Sequence, residues 1–265
     1  MPRYTDMLGR DLYLDATPRR IVSLVPSQTE LLYELGLEDR IVGITKFCVH
    51  PFHFKSVKKV VGGTKNVRIE KVAALSPDLI VCNKEENTEE MVEALSAIAP
   101  VWVSDVASLD DNYRLIQAFG ELFNCRVEAR KWEDKIRFAA TDFERFMAEV
   151  PERKAAYFIW KEPWMAAGGG TFIHDMMKLN RFTNIYGERE RYPEVIVPRI
   201  RLEGDPELVL LSSEPYPFKD EDAFEIGRRT HHAKTIFVDG EMFSWYGSRP
   251  LRAFAYFRQL QERLG

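Results

Sequence analysis

The sequence predicts an α/β protein of two lobes joined by one long helix, and three observations carry that prediction. Short runs that are apolar throughout alternate with helical patterns, as strands buried on both faces of a parallel sheet do. The alternation stops between Ser108 and Val150, a stretch with no proline and a single glycine, Gly120. A phrase also recurs: LSPDLIV at 75–81 and GDPELVL at 204–210 each lead from a turn proline and an acidic residue into an apolar run.

Taken in order, Arg20–Val25 reads as a short buried strand that Pro26 ends. Ser27 and Glu30 then have the S-x-x-E spacing of a capping box, opening an apolar helix that runs to Gly36. Arg40–Phe47 is the second strand, and Asn66–Leu75 a helix capped by Asn66. Asp78–Cys82 is a continuous apolar strand, Thr88–Ala99 a helix and Val101–Val106 a strand. Two helices fill the strand-free stretch, broken near Asn124–Cys125, the second about 24 residues and roughly 36 Å long. After Pro151 come strands at Ala155–Lys161, Leu208–Ser212 and Lys234–Asp239, with helices at Thr171–Leu179 and Arg249–Leu264. The predicted organisation is an N-terminal α/β lobe over 1–125, an interdomain helix over 126–150 and a C-terminal α/β lobe over 151–265.

Composition narrows the partners. The 265 residues suffice for one large or two small domains, and 37 basic against 41 acidic residues give a net charge of −4. The charges are interspersed with no basic stripe, which excludes nucleic acid as an expected partner. Cys48, Cys82 and Cys125 show no metal-type spacing and imply no disulfide framework. No apolar run approaches the roughly 18 residues of a membrane helix. The opening MPRYTDMLGRDLYLD lacks the basic and apolar regions of a secretory leader. The expected compartment is the cytoplasm as the chain is written, or the periplasm if a leader has been removed.

Ligands of parallel α/β sheets bind beyond the carboxyl ends of the strands. Here those ends read PSQT, KFCVHPFH, CNKEEN, IWKEPWMAAGGG and DGEMFSWYGSRP. The first is where a dinucleotide-binding domain would carry its glycine-rich phosphate loop, yet V-P-S-Q-T has no glycine. The others are rich in large aromatics, which loops expose only where something covers them; a shared aromatic cleft is the expectation, packing under neighbouring loops the alternative. Cys48, His50 and His53 invite a metal reading, against which stands a cleft-facing His50 with a surface His53; no metal site is expected. Gly168–Gly170 could cradle an anion or simply form a turn needing positive φ. No G-x-S-x-G elbow accompanies His174–Asp175, and no Gly-Lys-Ser/Thr phosphate loop occurs. A pocket without catalytic apparatus points to a binding protein, not an enzyme.

RIVSLVPSQTELLYELG, VGGTKNVRIEKVAALSPDLIV and VDGEMFSWYGSRP, with TDMLGRDLYL and PRRIVSL before them, resemble the substrate-binding proteins of cobalamin and ferric-siderophore ABC importers. The resemblance covers nearly the whole chain and is closest to the cobalamin-binding branch. It implies two Rossmann-like lobes with parallel sheets joined by a single long α-helix, with a cobalamin-like corrinoid, siderophore or haem held in the cleft between them. The ligand would be the only prosthetic group, and a monomer is expected. The ligand-contact segments map onto Phe47, His50, Asn83, Lys84, Trp160, Trp164, Phe243, Trp245 and Tyr246. Lys84 and Arg249 would meet amide or carboxylate groups at the rim. The resemblance also implies docking on an ABC permease through one exposed glutamate per lobe. Glu70 fits the first position. In the second lobe Ile196-Val197-Pro198-Arg199 replaces the usual serine–x–glutamate, with Glu203 nearby, and Asn83 stands where the cobalamin-binding pattern has a tryptophan. The rival expectation is an intracellular tetrapyrrole- or metal-handling enzyme or chaperone using His50 and Cys48.

Overall fold

The computed structural model describes residues 2–230 and 232–265. The chain divides into two compact units, the first comprising Met1–Val106, Asp110–Ile136 and Tyr246–Arg249, the second Ala107–Leu109, Arg137–Trp245 and Pro250–Gly265.

In the first unit, β1 (Arg3–Thr5) and β2 (Asp11–Tyr13) form an antiparallel hairpin. The sheet comprises β3 (Ile21–Ser23), β4 (Ile41–Ile44), β5 (Lys59–Val60), β6 (Leu79–Asn83) and β7 (Val101–Ser104). Its order is β5-β4-β3-β6-β7, and every pairing is parallel. Its helices are α1 (Pro26–Glu34), α2 (Phe54–Val57), α3 (Ile69–Ala74), α4 (Glu89–Ser96) and nearly all of α5 (Leu109–Leu122). Val22, Ile80 and Cys82 on the inner strands and Leu24 just past β3 pack with Val72 of α3 and Leu95 of α4 into one core.

α6 (Arg126–Met147) begins in the first unit and ends in the second. Asn124, at φ 53°, breaks it from α5, and at 22 residues it spans roughly 33 Å. Ala129, Ile136, Ala140, Phe143 and Met147 make its buried stripe at helical spacing. α5 and α6 approach so closely that a Cβ on Gly120 would lie 2.7 Å from that of Ala129.

The second unit repeats the plan. Its sheet contains β8 (Arg153–Trp160), β9 (Met165–Ala166), β10 (Phe182–Asn184), β11 (Leu208–Ser212) and β12 (Lys234–Val238). The parallel order is β10-β8-β11-β12, with β9 antiparallel against β8. α7 (Phe172–Leu179), α8 (Asp220–Gly227), α9 (Gly240–Ser244) and α10 (Pro250–Leu264) complete it.

The recurring phrase has a shared structural task. Ser76 and Asp205 both take positive φ, 44° and 49°, and the acidic residue two positions on then braces the neighbouring strand. Asp78 accepts the backbone N–H groups of Arg19 and Arg20 at 2.7 and 2.8 Å, at the entry to β3. Glu207 accepts that of Lys154, in β8, at 3.0 Å. In each sheet this places the following strand, β6 or β11, at the point where strand order reverses.

Two expected caps do not form. Val25 is the N-cap of α1 and makes no side-chain cap bond; Pro26 occupies the first turn, and Ser27 and Glu30 are buried inside the helix. α3 starts only at Ile69, because the Asn66 carbonyl is spent closing a loop on the Gly63 N–H at 3.0 Å. Thr88 and Thr171, by contrast, cap α4 and α7 through their hydroxyls. Among the described residues no helix is long and apolar enough to cross a membrane.

Candidate functional site

In the first unit strand order reverses between β3 and β6, the place where open α/β sheets offer a ligand crevice. The glycine-free turn there is filled by its own polar side chains. Gln28 Nε2 donates to the Ser104 hydroxyl and, at 2.9 Å, to that of Tyr246. Asn83 Nδ2 donates to the Ser104 carbonyl and hydroxyl at 3.2 and 3.1 Å, and its Oδ1 accepts the Glu85 N–H at 2.8 Å. The end of β3 thus faces a buried amide–hydroxyl network that occupies the position of a phosphate loop. Burial pushes the Tyr246 phenol up, so it stays protonated and serves as a neutral partner.

This network revises two expected contact residues. Asn83 and Tyr246 are both buried and hold the end of the sheet together. Arg249 is corrected as a rim residue: it is 3% exposed and ion-paired with Glu30 at 2.9 Å. Lys84 does lie at the surface, paired with Asp105 at 2.7 Å. Phe47, just past β4, is 48% exposed, and Phe52, five residues on in the same stretch, is 91% exposed.

Cys48 and His50 follow Phe47 and diverge. The Cys48 thiol is fully buried between the Thr29 and Thr45 hydroxyls at 3.1 and 3.2 Å, and desolvation pushes it up, away from the thiolate a metal or nucleophile needs. His50 is half-buried, while His53 pairs with Glu38 at 2.7 Å. Among the described residues no three His, Cys, Asp or Glu side chains converge as a metal site.

In the second unit the reversal lies between β8 and β11. Trp160, the last residue of β8, is 40% exposed and meets Tyr216 edge-on at 5.6 Å. Trp164 is stacked on Phe218 at 5.6 Å, meets Phe158 edge-on, and carries the Lys161 ammonium 5.4 Å from its ring. Hydrogen bonds to Asp222 and Glu225 hold that ammonium above the ordinary lysine value.

Phe243, expected as a ligand contact, presents no open surface. It is fully buried between Tyr157 and Phe257, at centroid distances of 5.1 and 4.7 Å. The reason is α9, a single turn whose start presses on β11: a Cβ on Gly240 would collide with Ser212 Oγ. Trp245, also buried, donates its indole N–H to Glu214 at 2.8 Å. Glu214 is held above the usual carboxylate value by burial, against the hydrogen bonds from Ser244 and Trp245. Gly168–Gly170 makes no anion cradle, because the Gly168 and Gly169 N–H groups are spent on the Arg191 and Arg189 carbonyls at 2.7 Å.

Sequence reasoning missed Gln28, Ser104 and Glu30 in the first unit, and Glu214, Tyr216 and Phe218 in the second. For the second set a signal exists: E-P-Y-P-F at 214–218 begins one residue beyond the buried strand β11.

A family model described as periplasmic binding protein matches residues 21–236. An uncharacterised ABC transporter substrate-binding lipoprotein of Bacillus subtilis is 29% identical over 183 residues, 66% of this chain and 57% of that protein. The match thus spans little more than half of that relative's length. A vitamin B12-binding protein of Yersinia pseudotuberculosis is 25% identical over 196 residues, 73% of this chain and 69% of its own. The crystal structure of the periplasmic vitamin B12 binding protein of Vibrio cholerae aligns with a TM-score of 0.79 at 19% identity, covering 93% of this chain and 98% of that one. At that identity the likeness is one of fold.

Proposed function

Since the chain belongs to the periplasmic binding protein family, we propose that it is a substrate-binding protein for a cobalamin-like corrinoid or another metal chelate, a haem or ferric siderophore, serving an ABC importer. The observation that carries the reading is an exposed aromatic at the strand ends of each unit, Phe47 after β4 and Trp160 on β8. Flat, largely apolar chelates are gripped by such side chains. His50 and Lys84 are the polar contacts of this reading, and α6 is one of the covalent links between the two units. Glu70, exposed in the first turn of α3, is its permease contact. The protein would act outside the cytoplasmic membrane and bind without chemistry; the sequestered thiol of Cys48 supports binding over metal-dependent turnover.

The test is incubation with cobalamin, haem and ferric siderophores, followed by gel filtration, absorbance and tryptophan fluorescence. Unaltered chelate should co-elute and quench emission saturably at tens of micromolar or less, about −6 kcal/mol. Absence of saturable quenching across the panel, or conversion of the chelate, would overturn the reading.

A further inference from the structure

Beside Phe47 the first unit holds a cavity of about 870 Å³, within the range of small-molecule sites. Its wall carries four cations, Lys46, Lys65, Arg68 and Lys71, and among the described residues that line it there is no carboxylate. None of the four is in an ion pair among the described residues. This runs against composition, for the chain has more acids than bases, 41 against 37. Gathering like charges around one concavity raises the energy of the unliganded fold, and an anion entering it relieves that cost.

The cations are positioned by built structure. Arg68 and Lys71 stand three residues apart at the start of α3 and so share a face, whereas Glu70 does not line the cavity. Lys65 rides on a loop pinned three ways: Gly63 N–H to the Asn66 carbonyl at 3.0 Å, a bridge between Gly62 and Val67, and Asn87 Nδ2 to the Thr64 carbonyl at 2.8 Å. Lys46 sits 4.8 Å over the Phe47 ring, and a Cβ on Gly63 would press on that ring at 3.3 Å. The glycine thereby keeps the aromatic and the cations at one opening.

We propose that this cavity binds a small polyanion, a molecule bearing two or more phosphate or carboxylate groups. It shares Phe47 with the chelate reading but stands on charge and geometry within the first unit alone, so it goes beyond that reading. Pyrophosphate and citrate are the probes, titrated calorimetrically into the full chain at low ionic strength, and the comparison separates phosphate from carboxylate recognition. At least one should bind saturably at one site. The Lys65→Gln/Arg68→Gln variant should weaken it about tenfold or more, since charge-assisted contacts are lost. Both residues are exposed, and an unchanged melting curve would confirm that the variant folds. No saturable binding of either probe at about 1 mM, or equal binding by parent and variant, overturns the proposal. Cobalamin titrated into the same two proteins keeps the failures distinct. Chelate binding without anion binding sinks this inference alone, and the reverse sinks only the chelate reading.

Discussion

Arg249 and Glu30 form a buried ion pair, with Nε hydrogen-bonded to Oε2 at 3.0 Å and Nη2 2.9 Å from Oε1, each side chain 3% exposed. They are 219 residues apart in sequence. The pair, with Asn112 bonded to both Gly247 backbone groups, makes Tyr246–Arg249 part of the first unit although the chain on either side belongs to the second.

Removing one partner strands a charge in low dielectric. Arg249→Ala should therefore lower the free energy of unfolding by about 3–5 kcal/mol, and Glu30→Leu with Arg249→Met should restore most of it. Urea titration checks both. An Arg249→Ala protein of parental stability that has lost chelate affinity would instead return Arg249 to the ligand rim.

Glu214 gives a pH signature. Its carboxyl is raised on folding, above the ordinary 4.5, so the folded state holds the proton more tightly than the unfolded one. Its contribution is most favourable below the unfolded value and is lost as pH rises through the raised one. Glu214→Gln keeps an acceptor for the Trp245 indole but cannot ionise. The variant's stability relative to the parent should grow as pH rises from about 4 to about 7, and parental tryptophan emission should titrate where the variant's does not. Parallel stability curves would remove Glu214 as their source.

The sheets are legible in the sequence because burial on both faces demands unbroken apolar runs: DLIVC falls on β6, and Leu208–Ser212 is β11 residue for residue. β1 and β2 are three residues each with mostly exposed side chains, and β5 has only two residues, so neither period nor length announces them. Strand ends are legible as places, and Phe47 and Trp160 are open there. What the sequence hides is which way neighbours turn. Phe243 and Trp245 are two residues apart, yet one faces Phe257 of α10 and the other Glu214, partners that only the folded chain brings near. Ser27 and Glu30 fit a capping motif locally, but Pro26 sets the helix start and Arg249 claims the glutamate.

Docking should be asymmetric. Glu70 is exposed and, among the described residues, in no ion pair, whereas Glu203 already pairs with Arg189 at 3.0 Å. Glu70→Ala should weaken association with a reconstituted permease about tenfold at low salt and much less at high salt, since such contacts act mainly by charge steering. Glu203→Ala should leave association unchanged. Equal effects of the two variants would restore a symmetric dock.

Trp160 and Trp164 look alike in the sequence, four residues apart in one loop-rich stretch, but their surroundings predict opposite phenotypes. Trp164 lies flat on Phe218 with an interplanar angle of 16°, against the core formed by Ala156, Phe158 and Val209, and under Lys161. Truncating it opens a void beneath α8 and strips Lys161 of its aromatic face, so Trp164→Ala should cost about 2–4 kcal/mol of stability. Trp160 touches Tyr216 only edge-on and keeps 40% of its surface open. Trp160→Ala should cost less than about 1 kcal/mol of stability, yet weaken the chelate that quenches the parent about tenfold or more, as loss of an aromatic anchor does. Melting curves and fluorescence titrations on the two variants separate the roles. If Trp160→Ala binds like the parent while Trp164→Ala, still folded, does not, the stacked indole is the anchor and Phe218 is its support.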